Sequence, residues 1–275
     1  MKKILIIPIL TAFLFLNFME SGFALNPTTP SVPGKETQKT KIQLFNGKDL
    51  SGWYTFLKGK GKNVDPDHVF TVQNGLIRIS GQQFGCITSD KEEYTNYKLE
   101  VEFKWGEKTF PPRVKNARDS GILLHSTGED GGFSGTWMHS IECQLIEGGT
   151  ADIIVVGDGT PKYSVTTTVG PDKEDSSYVY RPNGTPVTIT GDRINWFARD
   201  PQWKDVIGFR GSKDLEKPHG EWNKIEVIAK GKEITIFLNG TKANHVYDVS
   251  PQGGKIQIQS EGAEIFFKRI AVTPL

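Results

Sequence analysis

From Ile42 onward, apolar and polar positions alternate along the chain with a period of two. The plainest run is Tyr97-Lys98-Leu99-Glu100-Val101-Glu102-Phe103-Lys104-Trp105, where apolar and charged side chains take turns. Successive side chains of a strand point to opposite faces, so this run predicts a strand with one buried and one wet face. Gly121–His125, Ser140–Leu145, Ile153–Val156 and Tyr163–Thr168 read as further strands. Two hairpins stand out. Phe70-Thr71-Val72 and Leu76–Ile79 flank Asn74-Gly75, and Asn223–Ala229 and Glu233–Leu238 flank Lys230-Gly231-Lys232. Asn-Gly pairs, here and at Asn239-Gly240, suit two-residue turns with positive φ. Lys255–Gln259 and Glu264–Ile270 close the chain. No stretch holds a 3.6-residue apolar period long enough for a major helix, and no fixed-period repeat appears. Many short strands between Gly-rich turns predict an all-β protein, a two-sheet sandwich or a barrel. Residues 169–218, rich in Gly, Pro, Asp and Lys around Trp196 and Trp203, predict a long excursion between strands.

The N-terminal end follows another pattern. Met1-Lys2-Lys3 precedes an apolar run from Ile4 to Phe18, and Gly22 and Ala24 supply small residues. This predicts a signal peptide over 1–24. The run is short of the roughly 20 residues a spanning helix needs, so no stable membrane span is expected after cleavage. Residues 25–41, rich in Pro, Thr and Lys, read as a flexible linker, and 42–275 as one domain. The expected location is the periplasm or the outside of the cell. With 33 basic and 32 acidic residues and no basic block, nothing draws nucleic acid. Cys86 and Cys143 are the two cysteines. Export permits a disulfide, and a pair of buried thiols on strands is the plainer alternative.

Chemistry concentrates on a few polar strand positions. His125 shares a strand face with Leu123. Ser140, Glu142, Gln144 and Ile146 share another, mostly polar face. That face is either solvated or aimed at a polyhydroxy ligand. Glu142 can act as a base or a metal ligand there, and Gln144 both donates and accepts. Trp137 lies beside it and can stack on a sugar ring. Glu147, Asp152 and Asp158 follow in a Gly-rich stretch, and oxygen ligands such as Asp152 suit a hard cation such as calcium. In the tail, Gln257 and Gln259 share a face that Glu261 extends if the strand stays regular. No G-x-S-x-G, strand-linked G-x-G-x-x-G, H-E-x-x-H or cysteine cluster occurs, which disfavours serine hydrolases, nucleotide enzymes and zincins.

Several blocks, in order, resemble the 3-keto-disaccharide hydrolase domain family. They are Leu44-Phe45-Asn46-Gly47-Lys48-Asp49-Leu50-Ser51-Gly52-Trp53, Tyr94–Phe103, Asp119-Ser120-Gly121-Ile122, Ser140-Ile141-Glu142-Cys143-Gln144, Gly220-Glu221-Trp222-Asn223, Leu238-Asn239-Gly240 and the tail from Gly254 to Ile270. The resemblance implies a concanavalin A-like jelly roll of two antiparallel sheets. It also implies an exported enzyme that cleaves glycosides oxidised at carbon 3. Carried onto this chain, it points to Glu142 and His125 as catalytic groups, and to Gln144, Arg118, Glu261, Gln259 and Trp137 as sugar contacts. Asp119 stands where many members have Asn, and Glu261 where many have His. The alternatives are a non-catalytic carbohydrate-binding module on the same fold and an exported scaffold.

Overall fold

The computed structural model describes residues 39–275 apart from 92 and 175. The proposed export signal and all but the end of the linker lie outside the described residues. Every element among the described residues is a strand, and the strands form two sheets.

The first sheet has the order β13 (Thr185–Ile189), β11 (Ser164–Val169), β17 (Thr241–Ser250), β16 (Glu233–Leu238), β15 (Asn223–Lys230), β7 (Tyr97–Thr109), β19 (Ala263–Pro274), β5 (Leu76–Ile79) and β4 (Phe70–Gln73), with β1 (Ile42–Gln43) also paired to β19. The second runs β12 (Tyr178–Val179), β14 (Arg193–Asn195), β10 (Ile153–Val156), β9 (His139–Ile146), β8 (Asp119–Thr127), β18 (Lys255–Ser260), β6 (Gly85–Ser89), β2 (Trp53–Leu57) and β3 (Gly61–Lys62). All pairings are antiparallel except β12 with β14. This is the two-sheet jelly roll that the family resemblance implied, where the residue pattern left a sandwich or a barrel open.

The core lies between the sheets. Leu99, Val101 and Phe103 of β7 join Ile225 and Val227 of β15 there, with Ile122, Leu124, Ile141, Cys143, Leu145, Ile256 and Ile258 from the other sheet. The opposite face of β7 is charged and half-buried, with Glu100 only 6% exposed. Glu100 and Glu226 stand directly opposite each other on that face. Lys224 Nζ relieves their repulsion by lying 3.0 Å from one and 3.1 Å from the other.

Some strands escape the alternation. All five residues of β6 are buried, so both its faces are covered and no period shows. On β17 a bulge opposite Ile236 and Phe237 breaks the phase, and the fully buried Asn244 donates to Ala151 O and Ile194 O, 3.2 and 3.1 Å away. The excursion at 169–218 also needs correction. Its first half supplies the edge strands β12 and β13 and, between β12 and β10, the short β14; only the stretch beyond β14 runs irregularly to β15.

Candidate active site

The outer face of the second sheet is polar yet buried. Register fixes its members: Leu123 stands opposite Glu142, Gly121 opposite Gln144, and Gln257 opposite Leu123. Gln259 stands opposite Cys86, and Ile154 lies between Glu142 and Arg193. The alternate residues Ile141, Cys143 and Leu145 enter the core. Cys86 therefore lies on the outer face and Cys143 on the inner one, which keeps the two apart. Both are free and buried.

Loops wall this face. On the β2 side, Tyr54 donates its hydroxyl to Asp130 at 3.0 Å, and Trp137 donates Nε1–H to Gly85 O at 3.2 Å. Toward the start of β8, Arg113 bonds Asp119 and also Asp205 at 3.0 Å. Asp205 accepts from Asn116 Nδ2 at 2.7 Å and from Ala117 N at 3.0 Å, which pins the irregular segment after β14 to this corner.

Gly121 is the floor. A Cβ there would collide with Glu142 Oε1 and lie 2.5 Å from Gln259 Oε1. Both side chains therefore converge over a residue that has none. Asp119, Glu142, Gln144 and Gln259 are 1, 4, 3 and 1% exposed. Each still carries a buried oxygen without a partner: Asp119 Oδ1, Glu142 Oε1, Gln144 Oε1 and Gln259 Oε1. Buried acceptors left unpaired cost about 1–3 kcal/mol each, so four on one face mark a place built for donors from outside the chain. Gln257 provides the contrast. It donates to Thr88 Oγ1 at 2.9 Å and accepts from Met138 N at 3.1 Å, which makes it part of the frame. Gly121→Ala should cut catalytic efficiency about 100-fold by pushing Glu142 and Gln259 off position. Steady-state kinetics beside a thermal melt will separate this from unfolding.

Burial raises the carboxyls here. Glu142 is pushed up to about 8, first by burial and then by the Asp119 charge, while Arg193 and a hydrogen bond from Gln259 pull it back. Asp119 rises to about 7 by burial against the pull of Arg113 and Arg193. Glu261 is raised well above its usual range by burial and by the charges of Asp119 and Glu142. These groups keep protons that the unfolded chain has already lost above about pH 4.5. The folded state then binds more protons than the unfolded one, so stability falls as pH rises through 7 and 8. Between about pH 6.5 and 8.5 the Tm should fall by at least about 2 °C, and by less in Glu142→Gln.

The 3-keto-alpha-glucoside-1,2-lyase-like domain matches residues 40–273, nearly the whole described chain. The chain belongs to this family. Among solved structures, a "putative glycosyl hydrolase" of Parabacteroides distasonis is 21% identical, covers 86% of this chain and 94% of its own, and has a TM-score of 0.50. It shares the fold of this lyase-like domain. A Bacillus licheniformis beta-glucanase is 12% identical, with 88% and 100% coverage and a TM-score of 0.45. A carbohydrate-binding module from Bacillus subtilis is 11% identical, with 81% and 95% coverage and a TM-score of 0.40. No curated protein matches the chain.

In this lyase-like domain Glu142, Gln144, Gln259 and Glu261 do come together. Trp137 sits in the wall, its ring stacked on Phe133 at 6.5 Å. Three residues read from the sequence lie elsewhere. His125 takes φ 53° where the β8–β9 register slips, so its ring turns inward. It packs edge-on against core Tyr97 with Nδ1 2.8 Å from Pro251 O, and burial lowers its pKa. Arg118 precedes the strand and pairs with Glu147 at 2.7 Å while donating to Gly106 O. It is a strut, not a sugar contact. Asp152 is fully buried, accepts from Trp196 N at 2.8 Å and pairs with Arg199 and Arg193. Two guanidiniums on one carboxylate repel a cation, so Asp152 does not suit calcium. Among the described residues no group of three or more His, Cys, Asp or Glu is arranged to hold a metal. Asp119, Arg113, Arg193 and Gly121 were not among the residues read as the site. Only the alternation of Asp119 with Gly121 and Leu123 carried a signal for any of them.

Proposed function

We propose that this face binds a glycoside whose sugar is oxidised at carbon 3 and cleaves it by elimination, and that the chain works outside the cytoplasm after export. The observation that carries the reading is the Glu142 carboxyl, buried over a glycine floor among unpartnered acceptors and raised to about 8. A ketone at C3 acidifies the hydrogen on C2. Glu142 takes that proton as a carboxylate, and the electron pair forms an enolate on the C3 oxygen. When the enolate collapses, the C1–O bond breaks. The departing oxygen takes a proton from Glu261, which burial and the charges of Asp119 and Glu142 keep protonated. Water then adds across C1 and C2, hydroxyl to C1 and hydrogen to C2, and frees the 3-keto sugar.

A base titrating near the working pH matches this proton transfer. Two-carboxylate hydrolysis needs one carboxyl that stays ionised as nucleophile or base, whereas all three on this face are raised. Arg193 and Arg113, the cations that act on these carboxyls, are the groups we assign to the developing oxyanion.

The test is a panel of 3-keto-glucosides beside ordinary glycosides. Cleavage of the keto substrates alone is expected, with solvent deuterium entering C2 in D2O. Cleavage of ordinary glycosides alone would remove the elimination. Binding without turnover of any substrate would return the chain to the binding-module reading.

A further inference from the structure

The lining over Gly121 is lopsided in two ways. With the carboxyls ionised, the four unpartnered oxygens of Asp119, Glu142, Gln144 and Gln259 are all acceptors. Ser140 Oγ is the one unpartnered hydroxyl on the same face among the described residues. Charge is unbalanced as well. Asp119, Glu142 and Glu261 repel one another. Arg113 is shared between Asp119 and Asp205, and Arg193 lies 3.5 Å from Asp152, which also holds Arg199. Five carboxyls therefore meet three guanidiniums, and the free protein must hold protons to make up the difference.

A sugar hydroxyl donates one hydrogen bond and brings lone pairs that need donors in turn. An ammonium brings three donors, no acceptor and the missing positive charge. We infer that the polar face over Gly121 takes a sugar bearing a free amino group, with its ammonium among Asp119, Glu142, Gln144 and Gln259. This rests on the carbohydrate reading above and narrows it to a substrate class. The ammonium replaces protons as the counter-charge, so binding expels a proton from the carboxyl cluster. Loss of that proton also turns Glu142 into the carboxylate that the elimination uses.

The experiment is calorimetric titration of the full chain at about pH 6.5, with chelator present, in two buffers of different ionisation enthalpy. The probes are D-glucosamine, D-glucose and N-acetyl-D-glucosamine. Glucosamine should bind about 10-fold tighter than either neutral sugar, as a charge-assisted contact supplies. It should release about one proton per site, seen as buffer-dependent heat, while the neutral sugars release none. In Glu142→Gln the preference for glucosamine over glucose and the proton release should both shrink. Equal affinity for the three sugars, or glucosamine binding without proton release, overturns the amino-sugar inference and leaves the carbohydrate reading standing. Proton release on adding calcium chloride without chelator, with no preference for the amine, also overturns it. If none of the three sugars binds, the amino-sugar inference falls, and the 3-keto reading is decided separately by the panel of 3-keto-glucosides.

Discussion

Glu142→Gln should lower turnover of a 3-keto-glucoside by about 100- to 10,000-fold, the range a positioned general base contributes. The substitution keeps the shape of the side chain and removes only its ability to take a proton. The core face of β9, with Ile141, Cys143 and Leu145, is untouched. A carboxyl raised to about 8 by burial is one whose ionised form the fold disfavours. An amide in its place therefore gives a Tm above wild type already near pH 6.5, where the unfolded carboxyl is ionised, and further above it near pH 8.5. Wild-type turnover should rise with pH through about 8 as Glu142 ionises, and this rise should vanish from the residual activity of the variant. The measurement is kcat against pH for both proteins, with a melt at each pH. Turnover within threefold of wild type would take the base away from Glu142. Glu142→Ala is a poorer test, because it also empties the space over Gly121.

The sequence made the fold legible wherever one strand face is buried and the other more exposed, as on β7 and on the β15–β16 hairpin. On β6, where both faces are covered, only the strand-like setting of Cys86 showed, and the reading failed where a bulge shifts the phase, as on β17. The site divides along the same line. Glu142, Gln144 and Gln259 were readable because β9 and β18 keep strict alternation across their polar residues. His125 was misplaced because one positive φ reverses the face of a residue that alternation assigns outward. Arg118 and Asp152 carried the right chemistry and the wrong geometry. Each is spent on an internal ion pair, and pairing between distant residues leaves no trace in local pattern. Arg193 reaches the site from inside the excursion at 169–218, where periodicity says nothing.

Asp152→Ala should be the most damaging single substitution to the fold, with a loss of about 3–5 kcal/mol, the range seen when one partner of a buried ion pair is removed. Asp152 is fully buried, and its removal strands Arg199, which is itself 5% exposed, without a counter-charge. It also orphans the Trp196 N–H and frees the junction where β14 leads into the irregular segment. In a domain of this size the loss corresponds to a Tm lower by roughly 10 °C. Asp152→Asn keeps an acceptor for Trp196 and loses only the charge, so it should fall between Ala and wild type. Calcium should leave the wild-type Tm unchanged, because a cation approaching this carboxylate must displace two guanidiniums. A clear calcium-dependent rise that disappears in Asp152→Asn would restore the metal reading. The variant also reports on the active site. Arg193 already pulls the Glu142 carboxyl down from its raised position. With Asp152 gone, Arg193 has only the carboxyls of the outer face as partners, so the pH midpoint of the remaining activity should move toward acid. A midpoint that stays in place, in a variant still folded, would show that Arg193 and Glu142 are not electrostatically linked.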